Sequence, residues 1–277
     1  MRIGAHVSIQ GGLPNAPRNA HELGCECFQI FTRSPRGGPA KPITTDIARE
    51  FRRACESSRQ AAWYIHTPYY VNLSSTDTRI RELSIRIVRE ELERGRTIGA
   101  AAVMTHLGAA GEEGADDALQ RAIDNIRAAL DGYRGRTRLL AEIAAGSGSI
   151  VGRSFAELSA VVRATRGRCG VCLDTQHMFA SGYDVRDAGA VSATLDEFDS
   201  VVGLEHLRLL HVNDSKVPFA SRKDRHEHIG RGMIGKQGFA ALLSEPRLGD
   251  VDWVLETRRE GVAGDVRVLK SLRRGGH

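Results

Sequence analysis

Gly170-Val171-Cys172-Leu173-Asp174, followed by Thr175-Gln176-His177, is a short apolar run that stops abruptly at an acid and then at a histidine. A run this short, with no helical spacing, reads as a strand buried on both faces, as in a parallel sheet covered by helices. Cys169 and Cys172 suit such a strand, because buried cysteine behaves as a small apolar residue. An acid at the point where the strand ends is either the cap of a following helix or a ligand.

The same pattern recurs along the chain. Strand-like runs occupy Arg2 to Val7, Cys27 to Thr32, Ala62 to His66, Ala102 to His106, Arg138 to Glu142, Gly170 to Asp174, Arg208 to Val212 and Trp253 to Thr257. Between the third and fourth, Ile80, Leu83, Ile87, Val88 and Leu92 recur at helical spacing while Arg and Glu fill the other face. Thr45-Asp46 reads as the N-cap and acidic first turn of the preceding helix. Further helices are expected at 113–133, 154–166, 188–200, 236–244 and 263–273. Eight βα units in 277 residues fit a closed (β/α)8 TIM barrel, an α/β fold occupying residues 1–277 as one domain, better than an open doubly wound sheet. The stretch from Asn213 to Gly235 is irregular, charged and glycine-rich, and long loops in compact domains are usually functional.

Composition narrows the class. Hydrophobic residues at 41% and charged residues at 26% exclude a disordered chain. No segment approaches the roughly 18 uninterrupted apolar residues of a membrane span. The N-terminus enters a strand pattern at once, without the zones of a signal peptide, so a cytoplasmic location and no membrane partner are expected. Five cysteines form no disulfide framework, and Cys169-Gly170-Val171-Cys172 lacks a second pair at zinc-knuckle spacing. A net charge of +5 gives the surface a mild attraction for polyanions.

Barrel active sites are built at the C-terminal ends of the strands. There the sequence places His66, His106, Glu142, Asp174, His211 and Glu256, on six successive strands. A lone histidine is more often a core or surface residue than a ligand, but six ligand types converging on one rim defeat that reading. Carboxylates gathered at a barrel's centre carry a heavy desolvation cost, which bound cations offset. Two loops add His177, three residues after Asp174, and the pair Asp224 and His226. Nine imidazole and carboxylate ligands are too many for one ion and suit zinc, with manganese or iron as alternatives. Clustered metals are a common solution for phosphodiester hydrolysis. His6, at the end of the first strand, is expected either to support a ligand or to fill the core. His228 lies off the ligand pattern, and His21, His206 and His277 are expected to be structural or exposed. Gly230, Gly232 and Gly235 have G-x-G-x-x-G spacing but follow a loop rather than a strand, which excludes a dinucleotide site.

The chain resembles the endonuclease IV family of apurinic/apyrimidinic endonucleases. The resemblance is carried by Ile3-Gly4-Ala5-His6-Val7-Ser8 with Gly11-Gly12-Leu13, by Val171 to His177 with Ala180-Ser181-Gly182-Tyr183-Asp184, by His211-Val212-Asn213-Asp214-Ser215-Lys216, and by Asp224-Arg225-His226 with Gly230 to Gly235. It implies three zinc ions: one on His66, His106 and Glu142, a second sharing Glu142 and adding Asp174, His211 and Glu256, and a third on His177, Asp224 and His226. It further implies that duplex DNA is cut on the 5′ side of an abasic site, leaving a 3′-hydroxyl and a 5′-deoxyribose phosphate, with Glu142 as the bridging catalytic carboxylate. Removal of blocking groups from 3′ ends, by phosphodiesterase or phosphatase action, is also implied, as is action as a monomer. Residues matching Arg36, Tyr69 and Tyr70 enter the duplex at the lesion, where a missing base lowers the cost of unstacking. The chain departs from the family pattern at Leu107-Gly108-Ala109 after His106, at Ile143-Ala144 after Glu142, at Tyr70, where an apolar residue is usual, and at Gln176, where Cys is common. A sugar isomerase or epimerase on a similar barrel is the main rival reading, although it has no use for the Asp224-Arg225-His226 arm. A lesion-binding protein without catalysis is the other.

Overall fold

A computed structural model describes residues 1–112 and 114–275; His277 lies outside them. The chain closes eight parallel strands into a barrel. These are β1 (Ile3–His6), β2 (Cys27–Ile30), β3 (Ala62–His66), β4 (Ala102–Thr105), β5 (Arg138–Glu142), β6 (Cys169–Asp174), β7 (Leu207–His211) and β10 (Asp252–Leu255). Each is hydrogen-bonded to its neighbour in chain order, and β10 returns to β1 to close the ring. The short pair β8 (Asp214–Ser215) and β9 (His226–Glu227) is antiparallel and folds the long seventh loop back on itself, a hairpin that the sequence reading took as irregular.

The helices are α1 (Ala16–Glu22), α2 (Thr45–Ser57), α3 (Thr78–Ile98), α4 (Ala115–Leu130), α5 (Phe155–Ala164), α6 (Thr175–Ser181), α7 (Ala188–Val201), α8 (Gly235–Ser244) and α9 (Val262–Gly275). The expected helices from 113 onward are found with ends shifted by a few residues, residue 113 itself lying outside the described ones. The cap of α2 is Thr44, whose hydroxyl accepts the Ile47 N–H at 3.3 Å, so Thr45 is already helical. In α3 the apolar stripe is corrected. Ile87, Val88 and Leu92 are buried, but Ile80 and Leu83 are exposed, and Ser84 and Glu91 take places on the buried face. Ser84 can do so because its hydroxyl bonds the Ile80 carbonyl and accepts the Asn72 N–H. Among the described residues no helix is long and apolar enough to cross a membrane.

Strand alternation separates two cores. Outward-facing residues such as Phe28, Ile65, Val103, Leu139, Val171 and Leu210 pack against the helices. Inward-facing Cys27, Tyr64, Met104, Leu140, Cys172, Leu209 and Val254 fill the barrel as a layer. Cys169 therefore belongs to the outer core and Cys172 to the inner one, and burial pushes both thiols up to about 12. All five cysteines are free and buried, so the C-x-x-C spacing here is strand packing.

Candidate metal centre

Side chains two residues apart on a strand point to the same face. Two residues beyond the inward layer of Tyr64, Met104, Leu140, Cys172, Leu209 and Val254 stand His66, His106, Glu142, Asp174, His211 and Glu256. Each ligand type thus caps an apolar residue of its own strand, and the apolar layer forms the floor of the site. The register continues around the ring: Gln29 follows Cys27, and His6 pairs with Gln29 across β1 and β2.

Three groups of ligand atoms converge, each within 4.8 Å: His66, His106 and Glu142; Glu142, Asp174, His211 and Glu256; and Asp174, His177 and His226. Glu142 and Asp174 each belong to two groups. Glu142 Oε2 lies 3.2 Å from His66 Nε2 and 3.7 Å from His106 Nε2, while its Oε1 lies 2.9 Å from His211 Nδ1. Glu256 Oε2 stands 3.3 Å from the same His211 nitrogen. Asp224 Oδ2 reaches His177 Nε2 and Asp224 Oδ1 reaches His226 Nε2, each at 3.4 Å. His226 is also 3.8 Å from Asp174, so the third group touches the second.

His177 does not sit on a loop, as the sequence reading had it. Asp174 caps α6, accepting the His177 N–H on Oδ1 at 2.8 Å, and the first helical turn places both side chains over the rim. The capping role and the ligand role thus fall to one residue.

The imidazoles are oriented from behind. His66 Nδ1 donates to the Thr67 carbonyl at 2.6 Å and His177 Nδ1 to the Ile143 carbonyl at 2.9 Å, leaving each Nε2 toward the centre. His211 Nε2 donates to Gln29 Oε1 at 2.8 Å, which turns Nδ1 toward Glu142. Gln29 Nε2 in turn donates to Glu256 Oε1 at 2.6 Å. Asn213 joins two more ligands, its Nδ2 donating to Asp174 Oδ2 at 2.6 Å and its Oδ1 accepting the Glu256 N–H at 2.9 Å. Sequence reasoning missed both amides. Gln29 was findable, as a polar residue at the inward register of an apolar strand; Asn213, just past β7, carries no such signal. His6 supports rather than fills, bonding Gln29 Nε2 at 3.0 Å and lying 3.7 Å from Glu256.

Electrostatics show which charge the site calls for. Glu142 and Asp174 are completely buried. Burial alone would raise the Glu142 carboxyl, but His106, His211 and His66 hold it well below the usual range. Burial would lower His177, yet Asp174, Asp224 and Glu142 raise it to about 10. Burial would raise Asp224, but the His177 hydrogen bond together with the charges of His177, His226 and His106 brings it down to about 2. Burial leaves His106 lowered, despite Glu142 beside it. Buried carboxylates among imidazoles call for positive charge, and imidazoles with fixed tautomers and inward-facing nitrogens suit divalent cations. The donor set therefore fits metal binding.

The residues expected at the DNA lie on the adjoining rim. Tyr69 is 73% exposed, edge-on to Phe31 at 5.2 Å and close to His66. Arg36 is exposed on the loop after β2. Tyr70 is half-buried and lines a cavity with Gly37, Gly38, Pro39 and Leu83. His228 stays outside the three groups, its Nδ1 bonded to Asp265 at 2.7 Å. The amides of Gly230, Gly232, Ile234 and Gly235 converge on the buried Asp214 carboxylate at 2.9 to 3.3 Å, so this glycine loop wraps an internal acid.

Residues 17–273 match the xylose isomerase-like TIM barrel family. A curated relative, the probable endonuclease 4 of Halobacterium salinarum, is 40% identical over 278 residues, spanning 99% of this chain and 100% of its own. The crystal structure of endonuclease IV from Thermus thermophilus superposes with a TM-score of 0.90 at 34% identity, covering 99% of this chain and 100% of that one. A D-tagatose 3-epimerase-like protein superposes at 0.77 with 14% identity, a likeness of fold alone. With full-length similarity of that kind joined to three convergent ligand groups, the chain belongs to the endonuclease IV family of metal-dependent apurinic/apyrimidinic endonucleases.

Proposed function

We propose that this protein hydrolyses the phosphodiester bond 5′ to abasic sites in duplex DNA with three metal ions, leaving a 3′-hydroxyl and a 5′-deoxyribose phosphate, and that it also clears blocked 3′ ends. The observation that carries the reading is the sharing of Glu142 and Asp174 between neighbouring ligand groups, an arrangement suited to adjacent cations. His66, His106 and Glu142 would hold the first ion, Glu142, Asp174, His211 and Glu256 the second, and His177, Asp224 and His226 the third, with Asp174 within reach of it. Zinc suits the imidazole-rich set, with manganese or iron as possible occupants of single sites. When bound, such ions bring the pKa of water toward neutrality and offset charge on phosphoryl oxygens.

The protein's own groups keep the centre ordered. Glu142 presents both oxygens to different imidazoles, and the carbonyls of Thr67 and Ile143 keep protons off the inward nitrogens of His66 and His177. The apolar floor beneath excludes water from below. On the rim, Tyr69 and Arg36 are exposed and free to enter the duplex where a base is missing, and insertion there costs least. Tyr70 is half-buried and lines a cavity with residues 37–40, so it offers DNA less surface than Tyr69. The enzyme acts as a monomer in the cytoplasm.

The test is a duplex with a single tetrahydrofuran abasic analogue, incubated with and without chelator. Chelator-sensitive nicking 5′ to the analogue is expected, restored by zinc. Binding without nicking points instead to a lesion binder, and neither result returns the barrel to the sugar epimerases whose fold it shares.

A further inference from the structure

Asp224 reaches the third ligand group from an unpromising place. Its side chain is 56% exposed, and its neighbours Lys223 and Arg225 are exposed as well. An exposed loop ordinarily samples many conformations, so a ligand carried on it must be ordered when the ion binds. Here the carboxylate already stands 3.4 Å from both His177 and His226.

The backbone around it is held by one buried side chain. Gln176 is fully buried in the first turn of α6, next to His177. Its Nε2 donates to the Lys223 carbonyl at 2.9 Å, and its Oε1 accepts the Arg225 N–H at 3.3 Å. The two bonds fall on either side of Asp224, as a neighbouring strand would pair with it. From the other edge the Lys216 N–H bonds the Arg225 carbonyl at 2.9 Å, where β8 meets β9. The remaining contact of Gln176 is Nε2 to Ser215 Oγ at 3.5 Å, which ties the same amide to β8. The α6 carbonyls of Phe179 and Ala180 hold the start of this loop through the Ala220 and Arg222 N–H groups, and Gln176 carries the coupling on to the peptides that flank Asp224.

We propose that Gln176 is the positioning residue of the third metal site, setting Asp224 in place before the ion arrives and thereby holding that ion. The proposal rests on the three-ion reading above. Its mechanism is preorganisation: the loop's ordering is completed on folding rather than on metal binding. Gln176 touches no ligand atom, so its effect passes through the peptides flanking Asp224. Loss of an orienting partner of this kind typically lowers metal affinity about 10 to 100-fold.

Q176M retains length and volume but loses all three hydrogen bonds. Q176E keeps the acceptor for Arg225 and loses the donor to Lys223, and serves if Q176M does not fold. Metal equivalents per chain are measured for the zinc-loaded protein during dialysis against a competing chelator, and melting temperatures are measured with and without zinc. The parent is expected to hold three equivalents. Q176M should release one of them about 10 to 100-fold faster and keep the other two, with Q176E between. The metal-free melting temperature should fall modestly, because the lost hydrogen bonds form on folding, and the rise on adding zinc should shrink as well. Equal release of all three from parent and Q176M overturns the proposal, as does a lowered metal-free melting temperature with unchanged release, which marks a purely structural role. A parent that holds only two equivalents overturns the three-ion reading itself, and is recognised from the parent alone.

Discussion

At the scale of single residues, the site divides into side chains readable from their type and side chains readable only from what they touch. His66, His106, Glu142, Asp174, His211 and Glu256 stand out in the sequence because an acid or imidazole at the end of an apolar strand is chemically conspicuous. Gln29 shows only as a polar residue at the inward register of an apolar strand and Asn213 not at all, yet each bonds two ligands at once. An amide serves in that place because it offers a donor and an acceptor from one plane, so Gln29 can receive the His211 proton and donate to Glu256. Gln29→Ala should leave His211 free to rotate and Glu256 without its donor. We expect the ions on those ligands to bind about 10 to 100-fold more weakly, with a matching fall in nicking of an abasic duplex at limiting zinc. Saturating zinc should restore much of the rate. An unchanged zinc titration would mean that Asn213 and the β7 backbone suffice to orient both ligands.

At the scale of elements, loops that approach the site are secured by buried acids. Glu91 is the clearest case. It lies on α3 among apolar residues, fully buried, and accepts hydrogen bonds from Thr32 and Arg33 at the root of the loop that follows β2. Arg94, one turn on, donates to the Thr32 hydroxyl, the Thr32 carbonyl and the Lys41 carbonyl, so both ends of the loop bearing Arg36 are gripped by one helix. Helical spacing puts Glu91 on the stripe of Ile87 and Val88, but a glutamate in so charged a stretch reads as solvated until its partner arrives from another element. Glu91→Gln would leave the buried Arg33 facing a neutral amide. Breaking a buried pair by removing one charge costs about 3 to 5 kcal/mol, which a shift in the urea midpoint would register. A loss under about 1 kcal/mol would show that Glu90, 2.8 Å from Arg33, carries the pairing alone.

At the scale of the whole molecule, the barrel was legible because alternating strands and amphipathic helices admit few closed arrangements, and the inward register that builds the apolar floor also lifts the ligands above it. The hairpin of β8 and β9 was not legible, since two-residue strands carry no period, and neither was the seam where the chain's ends meet. That seam joins β1 to β10 beneath α9. Glu26 ties β1 to α9 there, accepting the Ile3 N–H at 2.9 Å and bonds from Arg273 at 2.8 and 2.9 Å, with Lys270 at 3.1 Å. Burial raises the Glu26 carboxyl, but Arg273, the Ile3 amide and Lys270 lower it further, to about 2 from an ordinary 4.5. A carboxyl depressed in the folded state lends stability that is complete above its unfolded pKa and disappears as pH falls through its folded one. The side chain is about a third exposed, so screening leaves a contribution of about 1 kcal/mol. Glu26→Gln should therefore lower stability by about that amount at neutral pH, and the gap between variant and parent should close between pH 4.5 and 2. Urea unfolding of both proteins across that range measures it, and a gap that persists below pH 2 would assign the loss to packing at the seam rather than to the charge.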